Sequence, residues 1–254
     1  MKPFLLSTLD PNAALLARQY GLGLELSEFC TAWNLDERFD EVAPQLEAAL
    51  RLAPARVLHG PFNELFPCAI DPQARALAAR RYAQSIAMAR RYGAEKVVIH
   101  GGYHPYIYYP EWYVEQSVVF WREFLPQIPQ GVTVCVENVL ETEPAWLVRI
   151  VREVADARLR LCLDIGHVHA YSPLPVERWL DAGEGLISHF HIHNNDGSRD
   201  SHSALPDGTM PMQALLAGIL RRFPSATLTL ELCDAAPSLR WLAEQTDSEG
   251  TPWI

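Results

Sequence analysis

Short apolar runs and longer amphipathic runs alternate eight times along this chain. The short runs are rich in Leu, Val and Ile and predict β-strands, while the stretches between them repeat apolar residues three and four positions apart, as an α-helix does. The predicted strands span residues 3–9, 21–29, 56–60, 96–101, 133–138, 159–166, 187–195 and 226–232. The clearest helices span 36–52, 71–92, 110–125, 143–155 and 210–223, and the first, sixth and eighth helices look short.

Eight strand–helix repeats predict a single (β/α)8 TIM barrel, a fold that usually takes about 250 residues. The chain has 254 residues, and no Gly/Ser-rich linker divides it. We therefore expect one α/β domain over residues 1–245 and a loose C-terminal tail over 246–254.

Composition and charge narrow the range of partners. The net charge of -10 argues against non-specific binding to nucleic acid or to an anionic membrane, because both need a basic face. Five Cys, an odd number with no C-x-x-C pair, fit a reducing compartment. The sequence shows neither a signal-peptide pattern nor an apolar stretch of transmembrane length, so we expect a cytoplasmic protein. The oligomeric state stays open.

Polar residues with metal-binding side chains stand where these predicted strands end. In a TIM barrel the C-terminal strand ends and the loops after them build the working face. The candidates are His59, His100, Glu137, Asp164, His167, His193, Asp200, His202 and Glu231. We expect them to form one cluster of metal ligands.

Four of these residues come from adjacent strands, which makes them the strongest candidates for metal ligands with a catalytic role: Glu137, Asp164, His193 and Glu231. Three acids sharing a barrel mouth without a cation would repel one another. Carboxylates with an imidazole suit Zn²⁺, Mn²⁺ or Mg²⁺.

Two further groups complete the predicted cluster. His59 and His100 lie beside Glu137 and would form a second ligand set with it. A third set would comprise His167 with Asp200 and His202, which follow the sixth and seventh strands.

Other residues are expected to support the cluster from below. His191 lies one layer deeper than His193 and is expected to hydrogen-bond to the ligands, and His189 is expected to be structural. Cys135 and Cys162 precede acidic residues by two positions, which predicts that they fill the barrel. Either Glu25 or Glu28 would face the site, and the pattern leaves open which.

Substrate-binding residues are expected in three loops. The segment 103–113 is rich in Tyr and could stack on a planar ring or act as a lid; it contains Tyr103 and His104. Arg199 could bind a phosphate or a sugar hydroxyl. Phe62 follows the third strand.

The motifs LHGPF, VIHGG, VENV, LDIGH, HIHNND, DSH and LEL resemble those of the xylose-isomerase-like TIM-barrel superfamily, which includes endonuclease IV and sugar epimerases. The resemblance covers nearly the whole chain. In the endonuclease IV branch a trinuclear zinc site hydrolyses phosphodiesters. By that resemblance the first zinc would be held by His59, His100 and Glu137, the second by Glu137, Asp164, His193 and Glu231, and the third by His167, Asp200 and His202.

The epimerase and isomerase branch implies a different use of the same residues. There one Mn²⁺ or Mg²⁺ would be held by Glu137, Asp164, His193 and Glu231, the two Glu would exchange protons with a ketose, and His167 and Arg199 would bind the sugar. Duplex DNA is not an expected substrate, because Phe62 stands where a DNA-intercalating Tyr would be.

Charge favours hydrolysis. Four carboxylates with three divalent cations leave a centre of about +2, which attracts a phosphodiester. We therefore expect a hydrolase acting on a phosphodiester in a small or nucleotide-like molecule. The alternative is a sugar or sugar-phosphate isomerase or epimerase with one metal, and a third possibility is a metal-dependent binding protein without turnover.

Overall fold

Eight parallel strands pair in the order in which they occur in the chain, and the last pairs with the first. The coordinates are a computed structural model that describes residues 2–247 and 249–254. The strands are β1 (Phe4–Ser7), β2 (Gly23–Leu26), β3 (Ala55–His59), β4 (Lys96–His100), β5 (Thr133–Glu137), β6 (Leu159–Asp164), β7 (Ile187–Ile192) and β8 (Thr227–Leu230). The predicted (β/α)8 barrel is confirmed.

Helices follow every strand and cover the outside of the barrel. They are α1 (Ala13–Tyr20), α2 (Ala32–Asp36), α3 (Phe39–Leu50), α4 (Pro72–Tyr92), α5 (Pro110–Phe124), α6 (Ala145–Val154), α7 (Ile165–Tyr171), α8 (Val176–Ala182), α9 (Met212–Arg222) and α10 (Ala236–Ala243). The second and sixth repeats each contain two helices, α2 with α3 and α7 with α8, where the periodicity predicts one helix.

The barrel interior has an apolar floor. Leu5, Val57, Val98, Cys135 and Cys162 form one buried cluster contributed by five different strands. The cysteines therefore fill the barrel, as their spacing predicts. A parallel barrel is covered on its outer side and packed on its inner side, which explains why its strands read as nearly continuous apolar runs.

The C-terminal segment folds back onto the last helix where it is described. Thr246 and Pro252 form an isolated antiparallel bridge, and the Trp253 amide donates to the Gln245 carbonyl at 3.2 Å. The Trp253 side chain is buried, with its ring 6.3 Å from that of Trp241. The expected loose tail over 246–254 thus has defined contacts, because an indole gains by leaving water. Its Ser248 lies outside the described residues.

Among the described helices, none combines the length and the apolar composition that a bilayer span requires.

The packing of strands on helices predicts that truncating the Phe190 side chain destabilises the fold strongly. This side chain on β7 is fully buried and lies edge-on to Phe223 at 5.3 Å. We expect Phe190→Ala to lower the free energy of unfolding by about 3–5 kcal/mol, because it removes apolar contacts and leaves a cavity. The measurement is chemical denaturation, with Leu15→Ala at an exposed helical position as the control, expected within about 0.5 kcal/mol of the parent. Equal losses in both variants would contradict this packing.

Candidate metal centre

A cavity of about 320 Å³ opens at the C-terminal ends of the strands. Of the nine predicted ligands, all except Asp164 and His193 line it. Those two are fully buried beside it. The four residues His59, His100, Glu137 and Asp164 are the last residues of β3, β4, β5 and β6. Parallel strands in a closed barrel end on one face, which is why residues far apart in the chain meet here.

Three carboxylates and one imidazole form the innermost group. This inner set consists of Glu137, Asp164, His191 and Glu231, whose candidate ligand atoms all lie within 4.8 Å of one another. His191 Nδ1 is 2.9 Å from Glu137 Oε1 and 3.2 Å from Glu231 Oε2. The sequence pattern predicts that His191 supports the ligands by hydrogen bonding, and its contact with Glu137 Oε1 matches that role. The structure also places His191 Nδ1 among the candidate ligand atoms of this set.

The register between β6 and β7 explains why His191 reaches the level of the ligands. Asp164 pairs with His191 across β6 and β7, so the two side chains lie at the same level of the barrel. The strand β7 ends at Ile192, so His193 already belongs to the loop beyond it. The signal that identifies His191 is therefore the pairing between strands, which one strand read by itself does not contain.

His193 lies between the inner set and the loop after β7, and it forms a further group of candidate metal ligands with His202 and Glu231. Its Nε2 is 3.1 Å from Asp164 Oδ2 and 3.6 Å from Asp200 Oδ1, and its ring stacks on His202 with 3.9 Å between centroids. Gly166 makes room for this ring, because a Cβ at position 166 would lie 1.9 Å from His193 Cε1. The glycine of the LDIGH motif is thus required by the histidine that directly follows the next strand.

Two histidines face the second oxygen of Glu137. His59 Nε2 and His100 Nε2 are each 3.4 Å from Glu137 Oε2. That oxygen is buried and has no hydrogen-bond partner among the described residues. His59, His100 and Glu137 therefore come together as the sequence predicts; we call them the first set.

The outer set consists of His167, Asp200 and His202. Asp200 Oδ2 lies 3.2 Å from His167 Nε2 and 2.9 Å from His202 Nε2. His202 has a φ of 45°, in the left-handed region that a residue other than glycine rarely adopts. The loop holds this strained conformation where it brings the imidazole against Asp200.

Backbone carbonyls orient three of these imidazoles. Because a carbonyl can only accept a hydrogen bond, the bonded Nδ1 must carry the proton, which leaves Nε2 directed at the carboxylates. The pairs are His59 with the Gly60 carbonyl (2.9 Å), His167 with that of Asn138 (2.8 Å) and His202 with that of Glu231 (2.8 Å). Metal-binding histidines commonly have such a partner on the other ring nitrogen.

Glu25 orients His191 from below. The Glu25 carboxylate accepts from His191 Nε2 at 3.0 Å and from His189 Nε2 at 3.0 Å, and it is almost fully buried. His189 also bonds Thr227, so it has the structural role that its position predicts. Glu28 instead accepts from the Thr8 hydroxyl and lies away from this network. Of the two candidates at the end of β2, Glu25 supports the centre.

The carboxylates are held in the anionic form that binds cations. Burial alone would raise the pKa of the Glu137 carboxyl, but the imidazoles of His191 and His100 outweigh burial and hold that pKa well below its usual value. The same competition, with His167 the main opposing group, lowers the pKa of Asp164 to about 2. Burial lowers the pKa of His100 to about 4, whereas neighbouring carboxylates outweigh burial and raise the pKa of His202 to about 9. Cation binding at the raised imidazoles would therefore release protons.

The residues present fit divalent cations. Two ligands bound at ~2.0–2.1 Å to one tetrahedral zinc lie roughly 3.4 Å apart. The contacts of Glu137 Oε2 with the first set have this separation, too long for a strong hydrogen bond. Asp200 Oδ1 in the outer set is also buried without a hydrogen-bond partner among the described residues. Buried oxygens without a partner, placed beside imidazoles, are what a metal site leaves when it holds no cation.

The expected substrate-binding residues separate into two groups. Phe62 lines the cavity, whereas Tyr103, His104 and Arg199 do not. Tyr103 is buried in an aromatic cluster, 4.9 Å from the ring of Trp146, because its loop folds onto the helices. His104 is half-buried and accepts from the Tyr106 amide, and Arg199 is exposed in the loop after β7.

A family model described as "Xylose isomerase-like TIM barrel" matches residues 17–247. The chain therefore belongs to the xylose isomerase-like TIM-barrel family, as the motifs indicate.

Three comparisons describe its relatives. The uncharacterized protein MJ1311 of Methanocaldococcus jannaschii is 30% identical over 169 residues, which are 61% of this chain and 56% of that protein, so the chain matches little more than half of that relative. The structure of the TTHB071 protein from Thermus thermophilus, soaked with ZnCl2, has a TM-score of 0.75 at 26% identity over 94% of this chain and 96% of that one. A D-tagatose 3-epimerase-like protein has a TM-score of 0.75 at 20% identity over 94% of each chain, a likeness that shows the fold.

The geometry predicts unequal roles for two neighbouring histidines. We expect His191→Ala to lower the bound zinc by about one ion per chain, because three carboxylates then lack their imidazole partner. We expect His193→Ala, at the edge of the inner set, to lose less zinc. The measurement is elemental analysis of zinc-loaded, dialysed protein. A larger loss in His193→Ala than in His191→Ala would contradict the assignment.

Proposed function

We propose that this chain is a metal-dependent hydrolase that cleaves a phosphodiester in a small or nucleotide-like molecule. The centre would hold up to three zinc ions, one in the first set, one in the inner set and one in the outer set. Glu137, Asp164, Glu231 and His191 would bind the central ion, with His193 beside it.

One observation carries the proposal: the two oxygens of Glu137 face different sets. Oε1 lies against His191 in the inner set, and Oε2 faces His59 and His100 in the first set. A single central ion would use one oxygen and leave the other buried beside two imidazoles. A carboxylate bridging two cations uses both, which favours a multinuclear centre.

Divalent cations held by these residues would lower the pKa of a water toward about 7 and would polarise the P–O bonds of an ester. The chain's contribution is to fix the ligands. Glu25 and the backbone carbonyls set the orientation of the imidazoles, and burial keeps bulk water from the inner carboxylates. In the net reaction the OH of water joins phosphorus, the P–O bond to the departing alcohol breaks, and the remaining hydrogen of water passes to that alcohol.

A single-metal sugar or sugar-phosphate isomerase or epimerase is the second candidate. It needs only the inner set, with one Mn²⁺ or Mg²⁺, and Glu137 and Glu231 as the two proton-transfer groups. The solved structure of the D-tagatose 3-epimerase-like protein supports this candidate. The comparisons thus favour isomerisation, while the arrangement around Glu137 Oε2 favours hydrolysis.

The two candidates predict different metal contents. We expect elemental analysis of zinc-loaded, dialysed protein to give nearly three zinc ions per chain, because the first, inner and outer sets of carboxylate and imidazole ligands all lie at the mouth. One Mn²⁺ or Mg²⁺ per chain, together with conversion of a ketose, would instead support the epimerase.

Removing ligands of the outer set should distinguish the hydrolase from the isomerase or epimerase, because only the hydrolase would need them. We expect Asp200→Ala combined with His202→Ala to reduce phosphodiester hydrolysis by more than about 100-fold, because two proposed direct ligands are lost and losing only a hydrogen-bonding partner behind a ligand already costs about 10–100-fold. Hydrolysis is followed with chromogenic diesters. Ser201→Ala, which changes the exposed residue between the two, should retain activity. Full activity in the double variant would exclude the trinuclear centre.

A further inference from the structure

We infer that the substrate carries a single negative charge on its phosphodiester and an apolar, preferably aromatic, group on the ester that is not cleaved. This inference rests on the proposed hydrolase function and adds the class of substrate. A wall formed by Leu9, Cys30 and Phe62 would bind that group.

The cavity has two chemically different halves. Leu9, Cys30 and Phe62 follow β1, β2 and β3, which are neighbours in the barrel. All the predicted ligands except His59 come from β4 to β8 or from the loops after them. A phosphoryl group held by the ligand half therefore has one substituent directed toward the apolar wall.

The wall offers no charged donor for an anionic oxygen. Among the described residues that line the cavity, none is Lys or Arg. Apart from the ligand His59, the donors on this half are the weak Cys30 thiol and the Ser27 hydroxyl, which already bonds that of Ser7 at 2.8 Å. A phosphomonoester would direct a charged oxygen at Leu9 and Phe62, and burying a charge without a partner is costly. When that oxygen carries an apolar ester group it has no charge, and the cost is avoided.

The Phe62 ring is held in place by its neighbours. It stacks on His100 with 4.3 Å between centroids and an interplanar angle of 14°, and it meets His59 edge-on at 5.7 Å. A ring oriented in this way presents one face without further ordering, which suits stacking of an aromatic group.

Further aromatic side chains are exposed on the face of the barrel where the cavity opens. Trp33 follows β2 and is 59% exposed, while Tyr106 and Tyr109 follow β4 and are 93% and 84% exposed. They lie on the same face of the barrel as the centre. Apolar side chains left in water around a site are typical of surfaces that bind an apolar ligand.

Three esters with the same p-nitrophenolate leaving group test the inference on zinc-loaded full-length chain: p-nitrophenyl phosphate, methyl p-nitrophenyl phosphate and phenyl p-nitrophenyl phosphate. We expect kcat/KM to be about tenfold or more higher for the phenyl than for the methyl diester, in the range of apolar-pocket discrimination, and lowest for the monoester. Phe62→Ala and Leu9→Ala should each reduce the phenyl-to-methyl ratio several-fold.

Because Phe62 also stacks on His100, Phe62→Ala can lower kcat/KM for every ester. The phenyl-to-methyl ratio of kcat/KM is unaffected by such a general loss. Leu9 is not itself a predicted ligand, and Leu15→Ala, the same change at an exposed position on α1, should leave the ratio unaltered. An unchanged ratio in both wall variants, or a monoester cleaved as fast as the diesters, would overturn the inference while leaving the hydrolase standing. Failure to cleave any of the three esters would overturn the proposed function and the inference with it.

Discussion

Compensation of negative charge at the barrel mouth is the constraint on which the rest of this structure depends. Glu137, Asp164 and Glu231 are nearly inaccessible to water and lie within a few ångströms of one another. Their mutual repulsion and their desolvation both disfavour ionisation, yet their pKa values are held below the usual range. Imidazoles provide the compensation in the structure described, and cations would take over that role when bound. A barrel mouth built in this way is stable only with such partners.

The barrel interior is graded to support this arrangement. The apolar floor lies deepest, and above it Glu25 and His189 form a fully buried hydrogen-bonded layer. The ligands occupy the level above, with His191 joining the two layers. The apolar floor has a low local dielectric, which strengthens the electrostatic contacts above it. The hydrogen bonds of Glu25 in the middle layer hold the His191 ring in one orientation. The position of one imidazole therefore depends on groups from several strands.

Sequence periodicity predicts the strands, the order of the repeats and the face on which the candidate ligands meet, because each signal is local. Asp164 and Glu137 end their strands in the sequence and in the structure alike. The sequence does not indicate that His191 lies level with Asp164, because that level depends on the register between strands, which a single run does not encode. The Tyr-rich segment around Tyr103 predicts a place near the substrate, but Tyr113 of that segment and Trp146 of α6 pack against Tyr103 and it is buried. Long-range packing decides both positions.

The loop after β7 is as firmly fixed as the strands, which bears on the number of cations. Asn194 and Ser203 exchange two backbone hydrogen bonds of 2.9 and 2.8 Å, and the Asn194 side chain bonds the Leu205 carbonyl. His202 keeps an unfavourable φ between these anchors. A loop that only admitted substrate would gain nothing from holding one imidazole under strain. Rigid placement of His202 against Asp200 is instead what a ligand of fixed geometry requires, so the physics of the loop supports treating the outer set as part of one preorganised centre.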